Sequence, residues 1–121
     1  PLRRLAHAHP HHRAMRVISS TSLAKGRFEG AHYGPTTISM ILDDEPPGAG
    51  PRLHRHPYDE TWIVLEGDLV FEVGDRQARA RTGDIVLAPP DVPHKFTNRG
   101  PGNARLICIH ASETIATEFM E

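Results

Sequence analysis

Disulfide chemistry is the first thing this sequence excludes. Cys108 is its only cysteine, so no internal bridge can form. A lone thiol fits a reducing compartment, and cytoplasmic placement is the expectation that follows. Also missing is any apolar run approaching the roughly 18 residues that a membrane-spanning helix needs. Arg3 and Arg4 stand near the N-terminus without an apolar segment behind them, so this end does not read as a secretory signal. Charge of one sign is missing too. The formal net charge is −1, which leaves no basic field to recruit nucleic acid or an anionic membrane. No helix-turn-helix pattern precedes the strand-rich part, which argues against a DNA-binding regulator. Apolar residues make up only 38% of the 121, which suits one small domain with a single-layer core.

Turn formers and histidine are in excess. Ten glycines and eleven prolines in so short a chain predict many short strands rather than helices. Four of the nine histidines, His7, His9, His11 and His12, fall within residues 1–16, which read as a flexible leader. Residues 17–121 then form one domain. Strands are expected at 17–20, 36–42, 52–56, 61–66, 69–73, 77–81, 85–88, 94–98 and 105–110, with 26–34 and 43–51 as loops. Gly67-Asp68, Gly74-Asp75 and Thr82-Gly83-Asp84 read as tight turns between them, the first of these as a hairpin. Residues 114–120 fit a short helix or a last strand equally well. Roughly nine short strands, with turns every ~8–12 residues, point to an all-β sandwich or barrel.

The chemistry is concentrated between Gly48 and Gly67. On an extended strand, residues i and i+2 face the same way, so His54 and His56 present their imidazoles like two prongs. Glu60 follows a bend at Pro57 and can swing back toward them. Two imidazoles and a carboxylate make a site for a divalent transition metal. His94, after Pro-Pro-Asp-Val-Pro, offers a fourth ligand.

These residues resemble the cupin family. Gly48, five residues, His54, one residue, His56, three residues, Glu60, six residues, Gly67 is similar to its first motif throughout. Gly83, five residues, Pro89, then Asp91-Val92-Pro93-His94, three residues, Asn98 is similar to its second. The second departs at Asp91, where the family usually has glycine. Aspartate tolerates left-handed turn geometry better than most residues, so the turn is expected to survive. The resemblance implies a jelly-roll barrel, the double-stranded β-helix, with a metal held at its centre by His54, His56, Glu60 and His94. It also implies a single-domain protein that forms a homodimer, pairing edge strands and exchanging terminal segments.

Four protein ligands leave two positions of an octahedral site open, as catalysis requires. The mixed nitrogen and oxygen set suits Fe, Mn, Ni, Co, Cu or Zn alike. A divalent ion with three neutral imidazoles and one carboxylate keeps a formal charge of +1, which favours an anionic, two-toothed small molecule. Below roughly pH 6 the imidazoles should take up protons and release the ion. By strand parity Arg52 points inward, where it would anchor a substrate carboxylate. Trp62, Val64 and Phe96 share parity with the ligands and are expected in an apolar wall. Ile38 and Met40 complete that wall in one register, or Thr37, Ser39 and Ile41 in the other. Trp62, Phe96, Met40 and Arg52 are therefore the substrate-binding candidates. Glu60 doubles as a candidate general base, and Tyr33 and Tyr58 as proton donors. Asn98 is expected to satisfy turn backbone, and Cys108 to be a small core residue. Nothing in sequence makes His110 a ligand. The leading function is a metal-dependent enzyme for a small anionic or aromatic substrate, with dioxygenase-like oxidation first and isomerase or lyase chemistry second. The alternative is a non-catalytic, metal-dependent binder or sensor.

Overall fold

Alternation of buried and exposed side chains explains the architecture. In Ala104–His110 every second residue, Ala104, Leu106, Cys108 and His110, is buried. Glu60, Trp62 and Val64 alternate likewise, as do Leu69 and Phe71, and His94, Phe96 and Asn98. A strand with one apolar face must lay it against another such face. The result, in a computed structural model that describes residues 15–34 and 36–121, is two facing sheets. The four leader histidines lie outside the described residues.

The strands are β1 (Arg27–Phe28), β2 (Ser39–Glu45), β3 (His54–Arg55), β4 (Glu60–Glu66), β5 (Asp68–Val73), β6 (Arg76–Arg81), β7 (Ile85–Ala88), β8 (His94–Asn98), β9 (Ala104–His110) and β10 (Glu118–Phe119). One sheet runs β1-β2-β9-β4-β7 and the other β10-β3-β8-β5-β6. Every pairing is antiparallel. This is the all-β jelly roll that the motifs implied. Trp62, Phe71 and Phe96 meet at its centre, with ring centroids 5.2 Å apart for Trp62–Phe71 and for Phe71–Phe96. Burying each such ring contributes about 1.5–3 kcal/mol from area alone. Among the described residues no helix is long and apolar enough to cross a membrane.

Several sequence expectations need correction. Gly67-Asp68 does not close a hairpin, because β4 and β5 lie in different sheets. Gly67 instead carries the chain across the sandwich at φ 129°, with room for no side chain: a Cβ would sit 2.8 Å from that of Ala104. Thr82-Gly83-Asp84 likewise crosses from β6 to β7, whereas Gly74-Asp75 does close the β5–β6 hairpin. Turn residues specify a sharp bend; they do not specify which sheet the next strand joins. Residues 17–20 form no strand, and 3-10 turns follow at Ser20–Ser22 and Ala24–Gly26. The first strand, β1, falls within the expected 26–34 loop. It forms there because Arg27 and Phe28 pair with Ile41 and Met40. The strand expected at 36–42 starts later and runs to Glu45, drawn on by its ladder with β9. The strand expected at 52–56 is regular only at His54–Arg55. The ambiguous C-terminal segment contains a strand, paired through Glu118↔Arg55 and Phe119↔His54.

Asn98 ties the loops to β8. Its Nδ2 donates to Glu45 O (2.9 Å) and Gly102 O (2.8 Å), and its Oδ1 accepts from Gly100 N (2.8 Å). With both amide ends satisfied, one side chain fixes the end of β2 and the 99–103 turn.

Candidate metal centre

The two sheets bring the polar residues together. His54 on β3 lies directly opposite His94 on β8. Glu60 opens β4 in the facing sheet, beside His110 of β9. His56 follows β3 and completes the group. His54, His56, Glu60 and His94 are all buried, and each offers a ligating atom within 4.8 Å of the others.

Hydrogen bonds fix the tautomers. His54 Nδ1 lies 2.6 Å from Arg52 O, His56 Nδ1 2.7 Å from Ala116 O, and His94 Nδ1 3.1 Å from Val92 O. A carbonyl can only accept, so each Nδ1 carries a proton, and in the neutral ring, the form that ligates a metal, each Nε2 keeps its lone pair. Yet His56 Nε2 and His94 Nε2 both stand 3.0 Å from Glu60 Oε1. All three atoms are buried without a hydrogen bond among the described residues. Three acceptors crowded together in a low-dielectric interior repel one another unless a cation sits among them. The donor set therefore fits a divalent metal ion.

The electrostatics agree. Burial pushes the Glu60 carboxyl up, but contacts from His110, then His56 and His94, outweigh it and hold the group below the ordinary carboxylate range. Burial lowers the His54 pKa, and the Arg52 carbonyl only partly opposes this, so the ring is neutral and ready to ligate at neutral pH.

The cavity above the centre has a volume of about 210 Å³. Its apolar wall includes Ile41, Phe96 and Phe119, and its mouth carries Arg27, Asp43 and Glu45. Of the substrate-binding candidates, Phe96 lines this space. Trp62 does not. It packs behind His94, ring against ring at 4.9 Å and 82°, and its indole N–H has no protein partner. Met40 is a correction: β2 turns Ser39, Ile41, Asp43 and Glu45 inward, so Met40 faces outward beside Phe28 and Leu42. Arg52 is a second correction. It is exposed, its guanidinium lies 4.3 Å from the Phe119 ring centroid, and its Nη1 donates to Glu121 O (3.3 Å). Parity failed there because the strand regularity it assumes begins only at His54. Tyr33 is remote from the centre and stacks on Phe28 at 4.6 Å. Cys108 is a core residue beside the cavity, and burial raises its pKa so that it stays a thiol.

Residues missed from sequence stand here too. Arg27 sits at the mouth because β1 pairs with β2, a pairing no local pattern announces. His110 ends β9 with its Nε2 3.2 Å from Glu60 Oε2 and its Nδ1 2.6 Å from the Tyr58 hydroxyl. The inward parity of Leu106 and Cys108 would have found it.

Asp43 and Glu45 give the mouth a pH-dependent character. Burial, then a hydrogen bond and charge repulsion from Asp43, and then Asp44, push the Glu45 carboxyl up to about 7. A raised carboxyl pKa favours folding most at pH values below its unfolded value, and that contribution is lost as pH rises through 7. Glu45→Gln should therefore stabilise the metal-free protein more at pH 8 than at pH 5. Denaturant midpoints of both proteins at the two pH values check this, and a pH-independent difference would contradict it.

Residues 42–110 match the family model described as "Cupin domain". Protein SchB of Streptomyces halstedii is 39% identical over 79 residues, which is 64% of this chain and 54% of that protein. The HTH-type transcriptional regulator PuuR of Escherichia coli is 30% identical over 80 residues, 64% of this chain and 43% of the regulator. Polyketide synthase CurC of Streptomyces cyaneus is 32% identical over 75 residues, 61% of this chain and 49% of that protein. The chain thus spans about half the length of these curated relatives. Among solved structures, oxalate decarboxylase of Bacillus subtilis, described with Mn(II) centres, superposes with a TM-score of 0.73 at 22% identity, covering 78% of this chain and 27% of that one. Oxalate oxidase superposes at 0.70 with 21% identity, covering 87% and 60%. At these identities the structures speak for the fold alone.

Proposed function

The chain belongs to the cupin family, and on that premise we propose that it is a metal-dependent enzyme acting on a small anionic oxygen-donor substrate. His54, His56, Glu60 and His94 would hold one divalent transition metal ion. One observation carries the reading: Glu60 Oε1, His56 Nε2 and His94 Nε2 form a buried knot of ligating atoms that have no hydrogen-bond partner among the described residues. When bound, the ion supplies Lewis acidity that draws an anionic oxygen donor to the centre and lowers the pKa of its hydroxyl. The protein supplies the rest. A cavity of about 210 Å³ suits a compact substrate. Phe96, Ile41 and Phe119 give it an apolar wall. Arg27 takes over the carboxylate-anchoring role first assigned to Arg52, and Glu60 remains the candidate base. Manganese is the first metal to test and iron the second, given the Mn(II) centres of the superposed oxalate decarboxylase. Oxidation of the dioxygenase kind ranks ahead of isomerase or lyase chemistry. A homodimer belongs to this reading, supported by exposed Ile85 and Leu87 on edge strand β7.

The test loads the protein with manganese or iron and follows oxygen uptake and product formation with dicarboxylates, α-keto acids and catechols. Turnover that disappears in Arg27→Ala at low substrate supports the reading. Tight binding without turnover of any compound would move the protein to the binder or sensor class.

A further inference from the structure

His110 belongs to no ligand set, yet it is 1% exposed and lies against the centre. Its proton can be placed by following the donors. The His56 Nδ1 proton goes to Ala116 O at 2.7 Å, so that nitrogen cannot also accept from Tyr58, 3.3 Å away. The Tyr58 hydroxyl accepts from Ala116 N at 3.2 Å and has one proton to give. The remaining acceptor is His110 Nδ1, at 2.6 Å. Donation there leaves the His110 proton on Nε2, the atom 3.2 Å from Glu60 Oε2. The opposite tautomer would set a lone pair against a buried carboxylate oxygen. The angle falls short of a full hydrogen bond, and no other protein atom competes for this N–H. Glu60 is thus divided. Oε1 faces His56 and His94, and Oε2 faces His110.

We propose that His110, locked by Tyr58 with its proton on Nε2, is a positioning residue that holds Glu60 Oε2 and so presents Oε1 to the metal ion. A ligating carboxylate has two equivalent oxygens and a free torsion. Occupying one oxygen fixes which the ion meets and stops the carboxylate from swinging. The C-terminal segment is part of the device, because the N–H and C=O of the single residue Ala116 serve Tyr58 and His56. The proposal rests on the reading of this site as a metal centre.

Two measurements keep the two ideas separable. Nitrogen-15 NMR of the metal-free protein reads the His110 tautomer directly. A proton on Nε2 is expected, and a proton on Nδ1 alone would overturn the proposal whatever the metal result. Manganese is then added to the wild type, Tyr58→Phe, His110→Leu and His110→Gln, with affinity taken by competition and the Mn(II) environment by EPR. His110→Leu should weaken manganese binding about 10–100-fold and alter the zero-field splitting. His110→Gln, whose amide can reach the same oxygen, should recover most of both. Tyr58→Phe, the mildest change, should fall between. Wild-type affinity and an unchanged spectrum in His110→Leu would sink the positioning role. Failure of the wild type itself to bind manganese, zinc or iron would sink the metal-centre reading, and the proposal with it.

Discussion

Glu60→Gln is expected to cost this protein its metal-induced stabilisation while leaving the metal-free form nearly unchanged. A ligand that binds only the folded state at a hundredfold excess over its Kd adds about 2.7 kcal/mol. For a domain of this size that corresponds to a rise in Tm on the order of 10–20 °C. The wild type should show such a rise with manganese. The variant should lose it, because a neutral amide replaces the one anionic ligand, and because the loss exceeds the 10–100-fold that residues merely supporting a ligand cost. Without metal two effects oppose each other. Glu60 is 3% exposed and faces two imidazole lone pairs. An amide removes the buried charge and can donate a hydrogen bond to one of those nitrogens. Against that, the depressed Glu60 carboxyl marks an ionised form that the fold favours, so the metal-free variant should melt close to the metal-free wild type. Thermal melts of both proteins with and without manganese provide the check. A variant that keeps the metal-induced rise would remove Glu60 from the ligand set.

That contrast follows from a site built for an ion rather than for the apo fold, and that feature was legible early. His54, His56, Glu60 and His94 stand at spacings that belong to the metal, because a small barrel admits few ways to converge four side chains. The all-β sandwich was legible for a related reason: glycine and proline cut the chain into strand-length pieces. Connection between pieces was not. Gly67-Asp68 looks locally like a hairpin and Thr82-Gly83-Asp84 like a tight turn, and only the sheet partners of the strands they join show that both are crossovers. Arg52 was misplaced by extending strand parity beyond the two residues that obey it. Met40 was placed in the wrong register, since two were open and nothing local to 36–42 selects one. Arg27, Asp43 and Glu45 reach the mouth through the β1–β2 pairing and the length of β2, both set by long-range ladders. The charge argument changes with them. The centre favours an anion, but the mouth pairs one arginine with two carboxylates, one of which is partly protonated near neutral pH. Under the proposed function, a substrate that carries a hydroxyl or amine opposite its anionic end would suit this arrangement better than a symmetrical dianion.

Core and site also meet in one residue, and the second large effect follows from it. Trp62 is 1% exposed and touches both Phe71 and His94. Truncating a buried tryptophan to alanine costs about 3–5 kcal/mol, a large share of the roughly 5–15 kcal/mol that holds a domain together. Trp62→Ala should accordingly shift the denaturant midpoint far down, and at 37 °C much of the protein should be unfolded without metal. Trp62→Phe should cost less, because most of the ring volume stays. Its indole N–H has no partner among the described residues, so no hydrogen bond seen there is lost in either variant. The two substitutions also predict different behaviour at the metal. His94 Nδ1 is held by Val92 O at 3.1 Å, the longest of the three histidine anchors, so the ring depends on Trp62 for its orientation more than His54 or His56 would. At a temperature where both variants remain folded, manganese affinity should fall about 10–100-fold in Trp62→Ala and less in Trp62→Phe. Chemical denaturation and competition binding on the same samples measure the two quantities. Stability lost with affinity intact would mean that the backbone alone orients His94, and that Trp62 serves only the core.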